Sequence, residues 1–537
     1  MRDLIGNYRM ILKRREFEES NNESQPLLSS EGSAVSFGAI NVDDDSETTD
    51  SQTFVTSLEV STKCYIQKPY SFPKHLGEKD EELVCYAQMN GFGTGDSSIL
   101  IDSKGFEPPK TQNSMVTIFA IWNTIMGTSL LAMPWGMERA GLFPGILVNV
   151  LVAALCLYTC YLMLRINEDH GVHGHNKEVS DLARILLGRW AEILARIFSL
   201  VVLIGSLIVY WVLMSNFLYH SVHFFYDYFS AVNEAPSTAN QTVICPKSSP
   251  NQTSTPVIRD TLFDQAWDLY STVPIALAVL MFPLLNFKSP TFFTKFNSLG
   301  TLSVMYLLTF VAVKSFNWGI NMNNWTAELA VKPTFCALSG MLSLSYFIHN
   351  IIISIMRSNR HQRHNTRDLS IAFILVTFTY MFIGVVFYIC FPLAKSCLED
   401  NILNNFEKFD AMTVIARILL LFQLFTVFPL IAYMLRTDIF KNLSMISCNF
   451  SYAKVVAVNA MVVTVCILFA CFLPKIGTLI RYTGALSGLV YIFLLPSLMK
   501  IASLLKKDAL TPIKFIAFIS IVIFGFVNLF SQFFIVD

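Results

Sequence analysis

From residue 113 to its end the chain is a succession of apolar blocks, each about long enough to cross a lipid bilayer. A spanning helix needs about 20 mostly apolar residues, because hydrocarbon offers its backbone N–H and C=O groups no partner outside the segment. Eleven such blocks can be laid out. They lie roughly at 113–135, 141–165, 194–219, 269–287, 294–317, 334–356, 369–393, 411–435, 453–473, 477–501 and 511–533. Composition agrees: 53% of the residues are hydrophobic, 13% aromatic and only 15% charged, where soluble domains average about 25% charged. The expected fold is an all-α integral membrane domain over 113–537. A formal net charge of +0 leaves no electrostatic footprint for nucleic acid.

Residues 1–112 differ. They are polar, carry the acidic run Asp43–Asp45, and contain no apolar stretch that would serve as a signal peptide. That composition predicts a mostly disordered tail. Between the second and third spans, residues 176–192 read as a short amphipathic piece with Leu182, Ile185, Leu186 and Ile193 on one face.

Lys and Arg in the connections set the orientation. With the tail in the cytosol, the cytosolic connections carry nineteen and the opposite side ten, a positive-inside bias of about two to one. The N-terminus is expected in the cytosol, and an odd number of spans puts the C-terminus outside it. Of the eleven cysteines only Cys245 and Cys397 fall well inside non-cytosolic loops. They are the natural disulfide pair, two free thiols being the alternative. Asn240, Asn251 and Asn324 head Asn-X-Thr sequons in loops on that same side and are candidate glycosylation acceptors.

Intramembrane charges are few. Arg417 and Lys314 lie near span ends, where snorkelling to the interface is expected; His349 comes nearest to mid-depth. No cluster of acids, bases or metal ligands converges, which disfavours an enzyme. The first span stands apart: Ile121–Trp135 holds Asn123, Thr124, Gly127, Thr128, Ser129 and Pro134 midway. A broken helix there would point a half-helix N-terminus at a carboxylate and offer carbonyls to Na⁺; a small-residue packing face is the equal alternative. Span six is its counterpart in an inverted repeat, with Gly340, Ser343 and Ser345 as candidate break points and His349 and Asn350 just beyond. Thr426 in span eight is a candidate ligand for a cation held by span one, or an ordinary packing residue.

The stretch Ile121–Gly136, with Tyr210–Phe217, Leu284–Pro290 and Phe347–Asn350, resembles the amino acid/auxin permease group, and within it solute carrier family thirty-eight. The resemblance covers nearly all of 113–533. It implies a LeuT-like fold of two inverted five-helix repeats plus one C-terminal helix, eleven transmembrane helices in all. It also implies a lysosomal and late-endosomal membrane, and export of essential amino acids such as leucine under stimulation by lumenal arginine. The family's arginine-binding segment matches Asn123, Thr124, Ile125, Met126, Gly127 and Thr128; Asn123 and Thr426 are the candidate Na⁺ ligands of the broken-span reading. Its lumenal disulfide matches Cys245 and Cys397, and its proposed cholesterol segment falls on Arg417–Val427, with Arg417, Phe422 and Leu424 carrying the pattern.

In the tail, Glu23, Leu27 and Leu28 fit an acidic dileucine sorting signal. The family's tail docks on the Rag GTPases and Ragulator and reports amino-acid sufficiency to the TOR kinase complex. Residues 64–101 offer spaced aromatics for such a partner without reproducing the family's motif residue by residue. A vacuolar or plasma-membrane transporter without signalling, and a transporter-like receptor with little flux, are the competing expectations.

Overall fold

The structure, a computed structural model, describes residues 112–171, 178–230, 243–246, 263, 266–287, 300–322, 325–442 and 452–535. The tail with Glu23, Leu27 and Leu28, and the sequons at Asn240, Asn251 and Asn324, lie outside the described residues. By its contacts the chain divides into Met1–Glu107 and Pro108–Asp537, and every described residue falls in the second unit.

Apart from isolated bridges and loops, the described chain is helical. In order it forms α1 (Ser114–Ile125), α2 (Met133–Ala140), α3 (Leu142–His170), α4 (Val179–Leu187), α5 (Arg189–Phe229), α6 (Thr272–Leu285) and α7 (Gly300–Trp318). There follow α8 (Cys336–Ser345), α9 (Ile352–Arg357), α10 (Gln362–Cys390), α11 (Ala411–Asn442), α12 (Tyr452–Phe472), α13 (Ile476–Lys506) and α14 (Pro512–Ser531). Among the described residues seven helices are long and apolar enough to cross a membrane, and eight if α1 and α2 are one bent span. Each of the eleven expected blocks contains helix; α6 and α8 are shorter apolar helices.

Local sequence explains the joints. Gly141, between α2 and α3, has φ +89°, and a Cβ there would lie 2.2 Å from the Ala330 carbonyl oxygen; only glycine satisfies both demands. α14 begins with Thr511 accepting from the Lys514 N–H and Pro512 in the first turn. α8 and α13 approach so closely that a Cβ on Gly484 would sit 2.3 Å from the Gly340 carbonyl oxygen. Small residues permit that contact where lipid provides no hydrophobic drive between helices. α14 is tied to the same place by polar groups: Ser339 donates to Asn528 Oδ1 at 2.6 Å, and Asn528 Nδ2 donates to Ser343 Oγ at 3.2 Å.

Three expectations are corrected. Lys314 and Arg417 do not snorkel; they are 8% and 2% exposed. Lys314 Nζ lies 2.5 Å from Asp410 Oδ1, and Arg417 Nη2 donates to the Leu403 carbonyl at 2.8 Å. Position near a span end suggested an interface, but the loop before α11 folds over both cations and supplies the partners. In the piece before α5, Leu182 and Leu186 are buried while Ile185 and Ile193 are 40% and 50% exposed. The buried face of α4 uses Val179, Leu182, Ala183, Leu186 and Leu187, and Gly188 at φ +91° turns the chain into α5 before the expected face is complete. Gly340 and Ser343 lie inside α8 as packing residues; the interruption follows Ser345.

Candidate functional site: a cavity at two helix breaks

α1 stops at Ile125, Met126 and Gly127 are extended, a 3-10 turn runs Thr128–Ala132, and α2 resumes at an angle of 55°. Pro134 in the first turn of α2 fits there, because its missing N–H would have had no helical partner. α8 stops at Ser345 and α9 begins at Ile352, leaving Tyr346–Ile351 between them. Such interruptions strand carbonyl groups that hydrocarbon cannot satisfy.

One hydroxyl meets both. Tyr380, fully buried on α10, places its hydroxyl 3.1 Å from the Ile125 carbonyl oxygen and 2.9 Å from that of Ser345. Ser129 Oγ lies 3.3 Å from the same hydroxyl. Beside it Trp122 Nε1 donates to Thr379 Oγ1 at 3.2 Å. The Tyr346 ring packs edge-on against Tyr380 with centroids 5.3 Å apart, and its hydroxyl donates to Asn149 Oδ1 at 2.7 Å. His349, in the second interruption, is fully buried with Nε2 2.8 Å from Thr159 Oγ1. The two breaks are thus held to each other and to α3 and α10 by polar side chains.

A cavity of about 420 Å³ opens along the first break. Asn123, Thr124, Ile125, Met126, Gly127 and Thr128 all line it. Facing them are Tyr210 of α5, Phe347 and Asn350 of the second interruption, and Gln423 of α11. The lining extends to Ile355 of α9 and Met434 of α11, towards the end of α11 opposite the Cys397 loop. Every lining residue is uncharged. Polar character comes from side-chain amides, hydroxyls and broken-helix backbone, and the remaining walls are aliphatic or aromatic. Such a site can meet an α-ammonium and an α-carboxylate with dipoles and accept an apolar side chain.

The structure does not bring Thr426 to this cavity. Its hydroxyl donates to the Gln423 carbonyl at 2.7 Å, and it is not among the lining residues. Asn123 does line the space, and its Oδ1 accepts from Thr301 Oγ1 at 3.3 Å. Arg417 and Leu424 are buried whereas Phe422 is 46% exposed, so the three residues share no lipid-facing surface. Cys245 and Cys397 form a disulfide with Cα atoms 5.0 Å apart. An isolated antiparallel bridge between Val243 and Phe406 lies beside it.

Sequence reasoning missed Tyr380, Tyr210 and Gln423. The available signal was chemical: hydroxyls and amides inside otherwise apolar spans need partners. It marks such residues as polar-paired without saying with what.

An α-helical membrane bundle with two interrupted helices around a cavity defines a class, the carriers built on discontinuous helices. The fold is shared with the crystal structure of MhsT in complex with L-phenylalanine, at TM-score 0.50 and 10% identity over 80% of this chain and 99% of that one. Within the class the chain belongs to the transmembrane amino acid transporter protein family, whose pattern matches residues 110–536. It is 43% identical to the sodium-coupled neutral amino acid transporter 9 homolog of Caenorhabditis elegans, over 87% of this chain and 86% of that protein. It is also 41% identical to neutral amino acid transporter 9 of Rattus norvegicus over 86% and 85%, and 38% identical to that of Xenopus tropicalis over 86% of each. The family is one of transporters, not enzymes.

Proposed function

We propose that this chain is a sodium-linked neutral amino acid transporter of the lysosomal and late-endosomal membrane, exporting essential amino acids such as leucine and responding to lumenal arginine. The observation that carries the substrate class is the cavity: Asn123–Thr128 line it at the first helix break, and none of its lining residues is charged. A neutral amino acid has one charge of each sign at its backbone end, which the dipoles of a broken helix can meet. Its apolar side chain suits the aliphatic walls. The relatives' names point the same way.

Sodium fits as co-transported cargo. Asn123 Oδ1 and the carbonyls of the first break are hard oxygen donors of the kind that cation takes; Thr426 contributes nothing to the cavity wall. Eleven spans, a cytosolic N-terminus and a lumenal C-terminus are the topology that the Lys/Arg bias supports. On it the cavity opens toward the cytosol and the disulfide lies in the lumen. In this reading the tail carries the dileucine sorting signal and docks the Rag GTPases and Ragulator to signal to the TOR kinase complex, Asn240, Asn251 and Asn324 carry lumenal glycans, and cholesterol acts as a regulator. The experiment is leucine and arginine flux into proteoliposomes under a Na⁺ gradient, for wild type and Thr128→Trp. Wild-type flux that the bulky side chain abolishes supports the reading. Arginine binding without flux of either amino acid would instead mark a receptor.

A further inference from the structure

Where α4 turns into α5 at Gly188, a pocket of about 370 Å³ is lined by Arg184 of α4 and by Arg189, Glu192, Ile193 and Arg196 of α5. Arg189, Ile193 and Arg196 follow the i, i+4, i+7 spacing that puts residues on one face of a helix, and Arg184 comes to them from the neighbouring helix. Three guanidiniums thus share a pocket with one carboxylate. Glu192 is only 6% exposed, and a carboxylate so buried has to be paired. Its close partner is Arg196, with Nη2 2.6 Å from Oε1. Arg184 stands off, its Nε 3.7 Å from the other oxygen, too far for a hydrogen bond. Arg189 enters no ion pair among the described residues. With Glu192 and Arg196 matched to each other, Arg184 and Arg189 leave two positive charges on the exposed side of the pocket.

The surroundings say what kind of anion these charges meet. Trp190, Ile193 and Ile197, on the same turns of α5, are 45%, 50% and 50% exposed. From here α5 runs on as one of the helices long and apolar enough to cross a membrane. Exposed indole and aliphatic side chains beside arginines, at the end of a spanning helix, suit the membrane interface, where the ring sits at headgroup level and the cations reach phosphate. A soluble anion would use the arginines and leave the apolar side chains in water; a lipid uses both. Charge narrows the headgroup. A phosphodiester carries a single negative charge, whereas a phosphomonoester carries about −1.5 to −2 at pH 7, the closer match to two guanidiniums. Each guanidinium offers phosphate oxygens a bidentate fork.

We infer that the corner between α4 and α5 is a binding site for an anionic phospholipid whose headgroup bears a phosphomonoester. Arg184 and Arg189 hold the phosphate, the Glu192–Arg196 pair completes the wall, and the acyl chains lie along Trp190, Ile193 and Ile197. On the orientation proposed above the lipid belongs to the cytosolic leaflet. Its binding does not depend on what the chain transports.

The test is native mass spectrometry of the purified full chain in detergent, titrated with dioleoyl phosphatidylinositol 4-phosphate and, as reference, dioleoyl phosphatidylcholine. Each variant is first checked for a monodisperse elution profile. Wild type should retain one phosphoinositide per chain at concentrations about tenfold or more below those that phosphatidylcholine needs. Arg189→Gln, which leaves the Glu192–Arg196 pair untouched, should weaken that binding about fivefold, and Arg184→Gln by a similar factor. Lys514→Gln removes an exposed cation from the start of α14 instead and should leave binding within about twofold of wild type. Free inositol 1,4-bisphosphate, the headgroup without its acyl chains, should not displace the lipid at equal concentration. Equal binding of the two lipids would overturn the site, as would phosphoinositide binding that neither arginine variant weakens or that Lys514→Gln weakens as much. Displacement by an equal concentration of the free headgroup would overturn a lipid as the occupant and mark a soluble phosphate ligand. Where one arginine variant does not fold, the other decides. Leucine flux is not part of the readout, so failure here leaves the proposed function standing.

Discussion

The two helix breaks line the same cavity with different means. The first has its chemistry on its own strand: Asn123, Thr128 and Ser129 are polar, Gly127 is small, and Pro134 suits a helix start. The second, between Ser345 and Ile352, commits its own polar groups to the scaffold, Tyr346 to Asn149 and His349 to Thr159, and Tyr380 reaches across from α10 to the last carbonyl before it and to that of the first break. A break that faces a substrate needs groups free for the substrate. A break that supports one can be satisfied by the scaffold. On the proposed function, the first break supplies most of the substrate's polar contacts and the junction at Tyr380 braces both breaks.

The largest effect tests the binding side. Thr128→Trp should abolish leucine flux in proteoliposomes with the protein still monodisperse, because an indole fills the cavity beside the break. Next comes the brace. Tyr380→Phe keeps the ring but removes the single hydroxyl proton that the Ile125 and Ser345 carbonyls share, a cost of about 1–3 kcal/mol. Leucine flux should fall about tenfold or more, whereas Thr379→Val, which removes only the bond from Trp122, should cost less. Equal losses from the two would deny Tyr380 its special place.

A change remote from both breaks sharpens the contrast. Lys314 and Asp410 are a buried pair with side chains 10% and 11% exposed, and removing one partner of such a pair costs about 3–5 kcal/mol. Lys314→Met should therefore lower the melting temperature while leucine affinity stays near wild type. The pH dependence carries a sign. Burial alone would raise the Asp410 carboxyl, but hydrogen bonds and charge from Lys314, with Thr413, hold it below its ordinary value. A depressed carboxyl stabilises the fold at pH above its unfolded value, about 3.9, and that contribution is lost as pH falls through the folded one. Wild type should lose melting temperature on acidification below about pH 4 more steeply than Asp410→Asn, as followed by intrinsic fluorescence.

The smallest effect concerns Gly127. Its φ of −115° is ordinary extended backbone, and a Cβ there would meet the Tyr210 hydroxyl at 3.5 Å, an ordinary contact. Gly127→Ala should keep leucine flux within about twofold. A large loss would mean the first break depends on glycine's freedom after all, through a conformation other than this one.

How much of this the sequence disclosed follows from where each interaction is made. The first break is legible because its cause is local: polar and small residues midway through an apolar span. The second is not, since the hydroxyl that braces it sits 35 residues beyond Ser345, on a helix whose own pattern looks ordinary. Lys314 was misread for the same reason, its partner lying 96 residues away in a loop. Cys245 and Cys397 could be narrowed to a pair by asking which cysteines avoid both spans and cytosol, an argument about compartments rather than contacts.

The most direct measurement of the central claim is photocrosslinking with a diazirine analogue of leucine, followed by mass spectrometry of the labelled peptides. The account predicts adducts within Asn123–Leu131 and Leu344–Ile351, competed by excess leucine and absent in Thr128→Trp. Competed adducts confined to other helices, with the first break unlabelled, would contradict it.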